Sequence, residues 1–214
     1  MLEHEIISRA KEYVRELFSK EFSGHDYWHT MRVLKMAKRL AAEEQADIFV
    51  VQLAALLHDV DDIKLSPNTH EKKENAVRFM HQVSLEDKMI NRVCIIIDEI
   101  SFAGQSIFPS TIEGKCVQDA DRLDALGAIG IARAFAFGGN HHRVMHDPGI
   151  SPNFNMSKEE YRKSNSTTIN HFYEKLFQLK ELMNTNSGKR LAAEREAFMK
   201  DFLKEFMCEW QGES

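Results

Sequence analysis

Cysteine is scarce: the chain of 214 residues carries three, Cys94, Cys116 and Cys208. They are widely separated, odd in number and form no Cys-x-x-Cys pair. That excludes a disulfide framework and a thiolate zinc site, and the expectation is a reduced, cytoplasmic setting. Proline is scarce too, with Pro67, Pro109, Pro148 and Pro152 all falling where helical periodicity breaks. Sustained alternation of apolar and polar residues, the mark of half-buried strands, is hard to find. No apolar run approaches the roughly 18 residues of a membrane span. The opening Met-Leu-Glu-His-Glu-Ile has neither the basic stretch nor the apolar run of a signal peptide. A basic excess is missing as well: the formal charge is −5 with neutral histidines. A general nucleic-acid binder would show the opposite sign, whereas a small anionic substrate needs only a local cationic pocket.

What is present reads as an all-α protein. Hydrophobic residues make up 43% and charged residues 29% of the chain, enough for one domain with a substantial core. Helix-period stripes predict helices over about Glu3–Ser19, Asp26–Glu44, a segment after Asp47, Thr69–Gln82, a segment after Ser84, Ile112–Phe137, Glu159–Met183 and a last one ending near Trp210. Asp47 has the character of an N-cap, and Ser84-Leu-Glu-Asp and Ser157-Lys-Glu-Glu have capping-box spacing. Val93, Ile95, Ile96, Ile97 and Ile100 predict a deeply buried helix. Gly127 and Gly130 are possible break points, and 138–155 is the one long irregular stretch.

One segment organises the rest. Ala54 to Lys64 reads Ala-Ala-Leu-Leu-His-Asp-Val-Asp-Asp-Ile-Lys, an apolar helical run that ends in His58, Asp59, Asp61 and Asp62. Burying Leu53, Leu56 and Leu57 draws these polar groups close to the core. Buried carboxylates and imidazoles are costly unless paired or bound to a metal. Partners can come from His25 to Arg32, which contains His29, and from Gln118 to Asp124, which contains Asp119, Asp121 and Asp124. A set of two histidines and two aspartates suits Mn²⁺, Fe²⁺, Zn²⁺ or Ni²⁺ and leaves open positions on an octahedral ion. A lone His-Asp dipeptide is weak evidence, because most such pairs simply hydrogen-bond; the three-part pattern is far more specific.

That pattern resembles the HD-domain metal-dependent phosphohydrolases, and more narrowly their stand-alone bacterial YedJ/YpgQ-like branch. The matching segments are Gly24-His25-Asp26-Tyr27-Trp28-His29, Ala54-Ala-Leu-Leu-His58-Asp59-Val-Asp-Asp62, Val117-Gln-Asp-Ala-Asp121-Arg-Leu-Asp, and the late Asn170-His-Phe-Tyr-Glu-Lys-Leu. The resemblance covers nearly the whole chain. It implies an HD-domain helical bundle over residues 1–214, with a metal-site core at about 20–137, a lid-like loop at 138–156 and C-terminal helices at about 157–212. It implies His29, His58, Asp59 and Asp121 as metal ligands, Asp121 being favoured over Asp119 and Asp124 by its position in the motif. Asp62 matches an acid that could activate water.

The implied activity is hydrolysis of nucleotides, most directly of nucleoside triphosphates to monophosphate and pyrophosphate. One divalent ion would serve, manganese first, with magnesium, nickel, iron or zinc as alternatives. His25, Arg32 and Lys64 are candidates for contacting phosphate, each with an ordinary surface ion pair as the competing reading. His141, His142, Arg143 and His146 read as a mobile surface loop, with a lid or a second metal site as the alternatives, and His171 as a structural histidine that could face a pocket. The expected partner is a small-molecule nucleotide, with no nucleic acid and no membrane. Alternatives are a phosphomonoesterase or phosphodiesterase on the same metal chemistry, and a non-catalytic nucleotide- or metal-binding regulator.

Overall fold

A computed structural model describes residues 1–19, 26–62, 66, 68–100, 108–154 and 166–213. Among these residues all regular structure is helical. The contacts gather into two compact units, Met1–Asp121 and Arg122–Ser214.

The first unit is built around the most apolar helix, α3 (Ile48–Leu57). Phe49, Val50, Val51, Leu53, Ala54, Ala55, Leu56 and Leu57 are all buried, so no side of its second half faces solvent. A helix that is apolar all round must be enclosed. Three helices enclose it: α1 (Glu3–Leu17), α2 (Tyr27–Glu43) and α5 (Asp87–Ile100). Asp47 caps α3 as predicted, accepting from Val50 N at 3.2 Å. Arg92 bridges Asp47 and Glu113 at 3.0 and 3.1 Å, tying α5 and the start of α6 (Ile112–Asp124) to that cap.

Several predicted boundaries shift, each for a local reason. Helix α4 runs over Glu74–Gln82, not from Thr69. Lys73, at its N-cap, has φ 50° and supplies no side-chain bond. The helix is capped from a distance instead: Asp61 accepts from Asn75 N at 3.1 Å and from Ala76 N at 2.9 Å. Ser84 does not open α5. It has φ 58° and closes α4, with Ser84 N donating to His81 O and Leu85 N to Met80 O, a left-handed stop of the kind helices use at their C-terminal end. Ile95, expected in the core with its neighbours, is half exposed, on the outer side of α5 from Val93, Ile96, Ile97 and Ile100.

In the second unit the helix predicted over Ile112–Phe137 is broken at Gly127, one of its two expected break points. Helix α6 ends at Asp124, Gly127 turns the chain at φ 71°, and α7 spans Gly127–Asn140. The irregular stretch therefore begins at His141. Predicted helix seven is also interrupted. The described part is α8 (Thr168–Glu174), capped by Thr167, and then a 3₁₀ turn at Leu176–Gln178. Lys175, at φ −138° and ψ −54°, separates them. The Ser157 capping box lies outside the described residues. Helix α9 (Asn186–Gln211) starts at the Thr185 N-cap and packs on α7, with Phe135 of α7 meeting Phe202 and Phe206.

The α6–α7 corner is tight. A methyl group on Gly130 would lie 2.2 Å from the Ala125 carbonyl oxygen, which is backbone and has little room to move. Gly130→Ala is expected to lower stability by about 1–3 kcal/mol, measured as a drop in Tm. An unchanged Tm would show that the corner has slack.

Candidate metal centre

Three segments of the first unit deliver the polar groups. His29 sits in the first turn of α2, where Asp26 accepts from its backbone N–H at 2.7 Å and fixes the helix start. His58 ends α3 and Asp59 follows it, while Asp121 lies in α6. His29 Nε2 is 3.3 Å from Asp121 Oδ1 and 3.6 Å from Asp59 Oδ2. His58 Nε2 is 3.2 Å from Asp59 Oδ2. One donor atom each of His29, His58 and Asp121 falls within 4.8 Å of the others. His29, His58 and Asp59 are buried, and Asp121 is partly exposed.

The donor set fits a divalent cation. Nδ1 of His58 lies 2.8 Å from the Ala55 carbonyl oxygen. In that geometry Nδ1–H donates to the carbonyl, which leaves Nε2 as the electron-pair donor. That Nε2 is buried and, despite its closeness to Asp59, is not aligned in a hydrogen bond. Two ligands at right angles on an ion, each about 2.1 Å from it, stand about 3 Å apart, which is close to the spacings seen here.

The electrostatics point the same way. Burial pushes the His58 imidazole down, but the charge and close contact of Asp59, the charge of Asp121 and the Ala55 carbonyl outweigh it and raise His58 from 6.5 to about 9. Burial pushes Asp121 up, yet the His29 contact and the charges of His29 and His58 bring it below the ordinary carboxylate range. Two carboxylates thus make the pocket strongly attractive to positive charge, whether proton or metal.

Residues 27–126 match the model of the HD domain family. The chain is 35% identical over 201 residues to the uncharacterized protein YpgQ of Bacillus subtilis, covering 92% of this chain and 90% of that one. The chain belongs to the HD superfamily of metal-dependent hydrolases. Among solved structures, an HD-superfamily hydrolase from Bacillus thuringiensis is 40% identical with a TM-score of 0.81, covering 98% of this chain and 99% of that one. The B. subtilis YpgQ structure in complex with ADP is 32% identical with a TM-score of 0.76, over 97% and 100% of the two chains.

For this HD-family chain, the structure brings together His29, His58, Asp59 and Asp121. Of the rival acids, Asp124 is paired with Arg133 at 2.5 Å and Asp119 is fully buried. Arg32 is half-buried one turn after His29 on α2. Asp62 follows at the end of the same turn, its N–H donating to the Asp59 carbonyl at 3.0 Å. His25 and Lys64 lie outside the described residues. Asp61 had no assigned role in the sequence and proves to be a buried helix cap.

The histidine-rich stretch of the second unit is tied to its neighbours at several points. Thr168 N and Ile169 N donate to Val144 O and Met145 O at 3.0 and 2.9 Å, and the His146 ring meets those of Phe206 and Trp210. Burial, with Lys175 and Arg143 adding to it, holds His171 down at about 3, so it is neutral. No helix among the described residues is long and apolar enough to cross a membrane.

The raised His58 value predicts a pH dependence with a definite sign. In chelator-treated protein the stability contributed by protonated His58 is full below its unfolded value of 6.5 and is lost as pH rises towards about 9. Metal must displace that proton, so Mn²⁺ affinity is expected to climb by up to about tenfold per pH unit over the same window. Isothermal titration in buffers of different ionisation enthalpy measures the proton released; no release at pH 7 would contradict the assignment.

Proposed function

We propose that this HD-family chain is a nucleotide phosphohydrolase that cuts nucleoside triphosphates between the α and β phosphates, giving monophosphate and pyrophosphate. The observation that carries the reading is the cluster of His29, His58, Asp59 and Asp121, with histidine–aspartate contacts of 3.2–3.6 Å. The nucleotide class is supported by YpgQ, which shares 32% of its residues with this chain and was solved with ADP. The proposal takes residues 1–214 as one HD-type domain acting on a small molecule in the cytoplasm, without nucleic-acid or membrane partners.

His29, His58, Asp59 and Asp121 would hold the ion, manganese being the preferred one. When bound, a divalent cation lowers the pKa of water and offsets charge on a phosphoryl oxygen. The chain's own groups do the rest. The Ala55 carbonyl keeps His58 in the tautomer that presents Nε2. Asp62 accepts the proton of the attacking water as oxygen bonds to the α-phosphorus and the bond to the bridging oxygen breaks. Pyrophosphate departs with that oxygen. Arg32, with His25 and Lys64, neutralises the phosphate chain; a guanidinium does so through paired donors.

The test is reconstitution. Protein stripped with chelator is given Mn²⁺, Mg²⁺, Ni²⁺ or Zn²⁺ singly and offered nucleoside tri- and monophosphates, with pyrophosphate and orthophosphate quantified separately. The expected result is metal-dependent pyrophosphate release that Asp59→Ala abolishes. Asp62→Asn is expected to lower kcat by about 10²- to 10⁴-fold and to keep Mn²⁺ binding. Orthophosphate alone would replace the proposal with a phosphomonoesterase. Tight nucleotide binding without turnover would replace it with a regulator.

A further inference from the structure

The turn carrying His58 and Asp59 is held by a helix that gives no donor to the metal cluster. Asn75, in the first turn of α4, donates through Nδ2 to the Val60 carbonyl at 3.1 Å. Its backbone N–H donates to Asp61 Oδ1 at 3.1 Å, and the next, of Ala76, to Asp61 Oδ2 at 2.9 Å. His70 Nδ1 stands 2.8 Å from the Asp61 carbonyl oxygen and closes the same contact from a third side. Asp61 is 4% exposed, so these bonds are shielded from water. The Asn75 amide also reaches Thr69 Oγ1 at 3.0 Å and Ser66 Oγ at 3.4 Å, which orients it towards Val60.

A helix usually caps itself with a local Ser, Thr, Asp or Asn. Helix α4 has Lys73 there, left-handed and without a side-chain bond. Its N–H groups are satisfied instead by a carboxylate two residues beyond Asp59. Val60 and Asp61 are the two residues immediately after Asp59, and both are gripped. No residue of slack separates the grip from the Asp59 carboxylate, which must stand between two imidazoles at 3.6 and 3.2 Å. The same stretch runs on to Asp62, whose N–H closes the turn on the Asp59 carbonyl.

We propose that Asn75 is a positioning residue for the metal centre, acting through the Val60 carbonyl and the Asp61 carboxylate to set where Asp59 presents its oxygen. The inference rests on the metal reading of the His29/His58/Asp59/Asp121 cluster. Its consequence is that divalent-ion affinity depends on a residue sixteen positions after Asp59 that touches neither ion nor substrate.

The test measures Mn²⁺ affinity of the full chain after chelator treatment, by the electron paramagnetic resonance signal of free Mn²⁺, well below each variant's Tm. Asn75→Ala removes the bond to Val60. Asp61→Asn keeps the size of the cap but spoils one of its two acceptors, and it carries the test if Asn75→Ala does not fold. Met80→Ala, at a fully buried position on the same helix, lowers stability without touching the clasp. Asn75→Ala and Asp61→Asn are expected to weaken Mn²⁺ binding about 10- to 100-fold, while Met80→Ala binds as the wild type does. Wild-type affinity in both clasp variants would overturn the inference, as would an equal loss in Met80→Ala, because the effect would then follow stability alone. Failure of the wild type itself to take up Mn²⁺ would instead overturn the metal reading, and the positioning role with it.

Discussion

Two imidazoles facing two carboxylates at the edge of an apolar core are the constraint on which the first unit depends. Each group taken alone is costly to bury, and each is tolerable only because the others are there. The core brings them together at a cost that neighbouring structure must offset. Burying each leucine of α3 stabilises by about 1.5–3 kcal/mol, and Leu53, Leu56 and Leu57 all lie within the five residues before His58. Apolar burial therefore positions the polar end of the helix. What results is a pocket whose carboxylates raise His58 well above its ordinary value and draw positive charge.

The cluster is also shaped by groups that give it no ligand atom. The Ala55 carbonyl selects which nitrogen of His58 faces inward, and Asp26 fixes the turn of α2 that carries His29. The clasp of Asn75 on Val60 and Asp61 does the same for the turn after Asp59. All three are backbone-directed bonds. They restrain direction rather than add attraction, which suits a site whose donors must converge on a single point.

Periodicity and chemistry made much of this legible in advance. The all-helical class followed from spacing, and the caps at Asp26 and Asp47 stand where the pattern placed a helix start. The three-part His, His-Asp, Asp pattern pointed to residues that the fold does bring together. Periodicity misled where backbone conformation overrides it. Ser84 has the spacing of a capping box but adopts φ 58° and ends the preceding helix. The stripe from Phe172 to Met183 looks continuous, yet Lys175 breaks it after a single short helix. The α6–α7 break, by contrast, falls at Gly127, one of the two glycines where it was expected, because a positive φ is easily reached there.

By itself, then, the sequence determined the helical class, the family and the residue types that can bind a divalent ion, because these depend on local spacing and on side-chain chemistry. Only the tertiary structure decided which atoms of those residues face one another and what holds them there. That Asp61 serves as a cap for α4, and that Asn75 reaches back to Val60, depends on contacts between segments 14 and 15 residues apart. Hydrogen bonds of that range leave no periodic trace in a sequence, since nothing in the spacing of Asp61 and Asn75 says that the chain between them returns.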